Sequence, residues 1–133
     1  MLRASSMEIT LLHVKNPYPV TVMHLHGELE EPDTVSLLDM ARQEYENGAR
    51  DLLLELGFVT RISPSGLATL RAVADLFDGR LGEEVNPDSL NGHHEHVKLL
   101  NVPEPVQQAL EDMGDSARFD SYTDLQQALD SFI

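Results

Sequence analysis

The chain has 133 residues, enough for one hydrophobic core, and 41% of them are apolar, which excludes an intrinsically disordered protein. It holds no cysteine, so disulfides, thiolate zinc sites and thiol catalysis are excluded. The formal net charge of −14 argues against nucleic acid or anionic lipid as a partner, since both need an electropositive surface.

With no tryptophan and 5% aromatic residues, the core must come from Leu, Val, Ile, Met and Ala. Met1 to Met7 reads as a tail without the apolar run of a signal peptide, and no window is long enough to cross a bilayer. A cytoplasmic protein with no direct membrane insertion is therefore expected. Ile9 to Val14 reads as a first strand. Pro17 and Pro19 bracket a turn, because proline fixes φ and cannot donate to a ladder. Val20 to Leu25 alternates as a second strand, with Val20, Val22, His24 and His26 on one face and Thr21, Met23 and Leu25 on the other. Gly27 is expected to end it.

Acids from Glu30 to Asp33 then mark a helix start, where they suit the positive end of the dipole. Val35, Leu38, Ala41 and Tyr45 follow at helical spacing, and Asn47-Gly48 closes the helix. Leu52, Leu53, Leu54 and Leu56 form a continuous apolar run, the mark of a central strand buried on both faces. Gly57 to Pro64 reads as its loop, and Ser65 as the N-cap of a helix carrying Leu67, Leu70, Val73 and Phe77. Residues 78–96 read as one long polar loop, of the kind that is functional or mobile in a small domain. Val97 to Leu100 is a strand. Pro105 opens a helix with Val106, Ala109, Leu110 and Met113, ended by Gly114. Ala117 to Phe119 is a short strand. Thr123 and Gln126 fit a capping box for a last helix with Leu125, Leu129 and Phe132 on its apolar face.

The resulting order, β-β-α-β-α-β-α-β-α, implies an α/β fold: a single domain over residues 1–133, with a mixed, mostly parallel sheet of about five strands and helices mainly on one face. That order, with these residues at its joints, resembles the STAS domain of anti-sigma factor antagonists. Three stretches carry the likeness: Leu25-His26-Gly27-Glu28-Leu29-Glu30, Ile62-Ser63-Pro64-Ser65-Gly66-Leu67, and Val97 to Pro103 followed by a helix ending in Met113-Gly114. The resemblance implies a non-enzymatic bacterial signalling protein that regulates transcription by binding an anti-sigma factor serine kinase. It also implies that Ser65, the serine before the glycine, is phosphorylated by that kinase and restored by a phosphatase. Ser63 stands two positions earlier, where the family carries an acid, and is the weaker alternative for modification. Glu30 takes the place of an aspartate in the first loop. The alternative function is a STAS module without phosphorylation, acting as a ligand sensor, a scaffold or a transporter-associated subunit.

The residues give Ser65 a meaning of their own. A hydroxyl at a helix start accepts a backbone N–H, and a phosphate there would add up to about −2 charge where anions are well tolerated. Glu30, Phe58, Val59, Ile62, Ser63 and Gly66 are the expected partner-binding positions around it. His24 and His26 on a strand, and His93, His94 and His96 in the polar loop, are expected to be titrating polar side chains, with no metal held. Glu28, Glu30, Glu31 and Asp33 crowd one loop, whereas paired-acid catalysis needs carboxylates across a cleft. No phosphate-binding glycine loop or nucleophile elbow is present, so no catalytic residue and no cofactor are expected.

Overall fold

A computed structural model describes residues 7–15, 18–30, 33–79, 94–114 and 116–133. Five strands lie in one sheet, and their spatial order is their order in sequence. They are β1 (Met7–Val14), β2 (Val20–Leu29), β3 (Leu52–Ile62), β4 (His94–Leu100) and β5 (Phe119–Tyr122). β1 pairs antiparallel with β2 in one continuous register from Met7↔Gly27 to Val14↔Val20. The later pairs are all parallel.

Helices α1 (Asp33–Glu46), α2 (Pro64–Phe77) and α3 (Glu104–Asp112) make the crossovers between successive parallel strands. Each crossover moves one strand in the same direction. The right-handed rule then puts these helices on a single face. Their apolar sides, including Leu37, Ala41, Leu70, Val73, Val106 and Leu110, pack on Met23, Leu25, Leu52, Leu54 and Leu99. The other face of the sheet belongs to α4 (Leu125–Asp130), whose Ala128 and Leu129 cover Val20, Val22, Leu53 and Leu100. Leu53 thus points opposite to Leu52 and Leu54, as a strand buried on both sides requires. Beside that small second core Lys98 is 7% exposed. Its Nζ donates to the Ser131 carbonyl (2.9 Å) and Oγ (3.0 Å) and lies 4.6 Å from the centre of the Phe132 ring.

Several boundaries differ from those the residue pattern suggests. β2 runs past Gly27, and β3 runs past Leu56 to Ile62, because the two strands keep pairing. They do so across two register shifts, between His24 and His26 and between Gly27 and Glu28, each adding one residue on β3. Gly27 takes φ 109°, a conformation glycine adopts without penalty. Asp78 caps the end of α2, and His94 to His96 already belong to β4. The stretch expected as loop is therefore shorter at both ends, and residues 80–93, with His93, lie outside the described residues. Ser116–Arg118 form a single 3₁₀ turn before β5. Asp124, not Thr123, is the N-cap of α4, with no side-chain hydrogen bond, so the expected capping box is not made. Leu125 is 43% exposed; α4 turns Ala128 and Leu129 inward instead. In α1, Val35 is exposed and Leu37 occupies the core.

Candidate functional site

The expected loop is the junction between β3 and α2. Pro64 occupies the first position of the helix. It suits that place because it has no N–H to leave unsatisfied and its φ is already helical. The cap is therefore the residue before it. Ser63 has extended backbone (φ −90°, ψ 167°), and its Oγ accepts the Gly66 N–H at 3.0 Å. Ser65 is not the N-cap; it is the second residue of the helix. The two hydroxyls are 3.0 Å apart. Both serines are half-buried, and Ser65 is on the first turn, where no acidic residue is present.

This junction is fastened to the end of β2. The Ser63 N–H donates to the Leu29 carbonyl at 3.0 Å, and the Ser63 hydroxyl lies 3.4 Å from the same oxygen. Gly66 is buried against it: a Cβ at this position would stand 2.3 Å from the Leu29 carbonyl oxygen. Glycine is required here for contact with the chain's own backbone, so Gly66 is not an outward partner-binding residue. Val59 is corrected likewise, being 3% exposed and part of the main core. The bulge at Leu56–Gly57 shifts the alternation by one residue. It turns Val59 inward and Phe58 outward. Phe58 is 62% exposed and stacks on His26, ring centres 4.7 Å apart and nearly parallel at 10°. Ile62 is half-buried and packs on the edge of the core. Glu30, half-buried, lies 3.7 Å from Arg61, whose side chain is largely exposed. Phe58, Glu30, Ser63 and Ser65 thus present surface near the strand ends, whereas Val59 and Gly66 do not.

No family model and no curated protein matches the chain. Solved structures do. An anti-sigma factor antagonist from Mycobacterium paratuberculosis superposes with TM-score 0.70 at 18% identity, over 96% of this chain and 94% of that one. The anti-sigma factor antagonist SpoIIAA in its unphosphorylated form gives 0.68 at 14%, over 92% of this chain and 94% of that one. Phosphorylated SpoIIAA of Bacillus gives 0.64 at 13%, over 92% and 97%. The chain has the SpoIIAA-type STAS fold. Likeness at these identities is one of fold.

Within this STAS fold the histidines divide. His24 and His26 lie on the α4 side of β2, as the alternation predicts, and His96 is exposed on β4 beside Asp51 (Nδ1–Oδ1 3.0 Å). His94 is buried at 1% exposure, contrary to the polar-loop reading. Its Nδ1 lies 2.7 Å from Asp78 Oδ2, and its ring packs on Phe119. Among the described residues, its Nε2 is buried with no hydrogen-bond partner. Asp75, Asp78 and His94 bring one potential ligand atom each within 4.8 Å of one another. Asp78 is already engaged by the imidazole, so the pair acts as a clasp between the end of α2 and the start of β4. It sits at the far end of α2 from the serines, about 20 Å away by helix rise. Burial here, with His94 and Val97 inward and Glu95 and His96 outward between them, departs from the two-residue alternation of a strand, and so polar a segment offered little signal. Among the described residues, no helix is long and apolar enough to cross a membrane.

Proposed function

We propose that the chain is a non-enzymatic anti-sigma factor antagonist, switched by phosphorylation of Ser65 and acting through a surface formed by Ser63, Ser65, Glu30 and Phe58. The observation that carries this reading is the placement of a half-buried hydroxyl on the first turn of α2, 3.0 Å from a second hydroxyl that already serves as the cap. Ser63 performs the structural task, which leaves Ser65 available for modification. A phosphate on Ser65 would meet the N-terminal end of a helix with no acid in its first turn. The fold would survive while a bound partner met an added dianion that it could not solvate. The partner is an anti-sigma factor serine kinase, with a serine phosphatase restoring the hydroxyl, and the setting is bacterial cytoplasm. Ser63 is a poorer phosphate acceptor, since modifying it would remove the cap.

Incubation with such a kinase and ATP, followed by intact mass, tests the assignment. One phosphate is expected on the unaltered chain and on Ser63→Ala, and none on Ser65→Ala. A phosphate that persists in Ser65→Ala would overturn the assigned site. Phe58→Ala should weaken kinase binding while leaving the chain folded.

A further inference from the structure

Three histidines among the described residues are paired with carboxylates: His13 with Glu44, His96 with Asp51, and His94 with Asp78. His13 and His96 are exposed. The third pair differs in two ways. Both of its side chains are buried, that of Asp78 to 7% exposure. A second carboxylate, Asp75, stands beside it, and only here among the described residues do three potential ligand groups come together.

The helix brings the two carboxylates together and makes their closeness costly. Asp75 and Asp78 are three residues apart, so they share one face of α2. Asp78 is the C-cap, and the last turn of α2 holds no basic residue. Two like charges therefore lie at the negative end of a helix dipole, where a cation is favoured. Among the described residues, neither carboxylate is ion-paired with Lys or Arg. The imidazole compensates them only in part. It meets Asp78 through Nδ1 at 2.7 Å, and among the described residues its buried Nε2 has no partner. A buried polar atom left without a partner calls for an ion or a water.

We propose that Asp75, Asp78 and His94 bind a divalent transition cation of the zinc class, which ties the end of α2 to the start of β4. Each residue offers one ligand atom, and the three atoms lie within 4.8 Å of one another. Bound to one ion at about 2.1 Å, they would draw together slightly. Two carboxylates neutralise a dication, and the imidazole selects zinc over magnesium or calcium, which prefer oxygen ligands. With no cysteine in the chain, a nitrogen and oxygen set of this kind is the zinc chemistry open to it. The site does not rest on the reading of Ser65, so the two proposals stand or fall separately.

Zinc chloride and magnesium chloride, titrated separately by calorimetry into chelator-treated protein, test it. Zinc should bind saturably, one per chain, and should shift the ring resonances of His94 while those of His96 stay in place. Magnesium should bind far more weakly. Asp75→Asn removes one ligand, leaves the Asp78–His94 pair intact, and should weaken zinc binding about a hundredfold. Asp75 is half-buried and the amide has its shape, so the variant keeps the fold, which an unfolding midpoint without zinc no lower than the parent's would verify. His96→Gln, which breaks an exposed histidine–carboxylate pair, should leave zinc affinity unchanged. Absence of saturable zinc binding, equal affinity in Asp75→Asn, resonance shifts centred on His13, His24 or His96, or magnesium binding as tight as zinc would each overturn the proposal.

Discussion

The two ends of the sheet are built on opposite plans. At the serine end, backbone meets backbone with no space left: Gly66 touches the Leu29 carbonyl, which also receives the Ser63 N–H. At the other end, the hairpin and the α1–β3 connection leave a cleft lined by both apolar and charged side chains. The closed end holds the two hydroxyls of Ser63 and Ser65 3.0 Å apart against backbone. The open end keeps charged groups paired or pinned around unfilled volume. Close packing and an open cleft are thus separated by the length of β3.

The sharpest way to break this contrast is to put a methyl group into the closed end. Gly66→Ala should cost about 3 kcal/mol by chemical denaturation, since the contacted atom is a backbone carbonyl that cannot swing aside. A cost near zero would mean that the junction is looser than described. Ser63→Ala should cost about 1 kcal/mol, the usual loss for a missing N-cap, and Ser65→Ala should cost clearly less. Equal costs would remove the division of labour between the serines. The smallest effect belongs to the open end. The hydrogen bond and negative charge of Asp51 hold the Tyr18 phenol above its ordinary value of 10.0. A raised folded value favours the neutral phenol. Its stabilising contribution is fully present below the unfolded value and disappears as pH rises through the folded one. An alkaline absorbance titration should show this tyrosine ionising late, and Asp51→Asn should return it to the ordinary range.

Much of the architecture was legible because burial writes itself in apolar spacing. The run Leu52 to Leu56 announced a central strand, and the alternation of strand and helix announced parallel pairing. What could not be read has specific causes. The first turn of α2, Pro64-Ser65-Gly66, contains no large apolar side chain, so periodicity begins only at Leu67 and pointed to the wrong serine. Proline's preference for the first helical position was the available signal for Ser63. The positions of Phe58 and Val59 depend on extra residues in β3, and a bulge has no apolar signature of its own. Gly57 hints at it only faintly. His94 looked like loop because its surroundings are polar, and its burial depends on Asp78 and Phe119, both distant in sequence.

The strand order bears on how the chain is made. Every strand neighbours the one synthesised just before it, so no pairing waits for a segment that has yet to leave the ribosome. The sheet can grow from β1 toward β5 as translation proceeds, and each new crossover helix finds its seat already laid. Among the described elements, α4, which follows β5, crosses to the reverse side and shuts it.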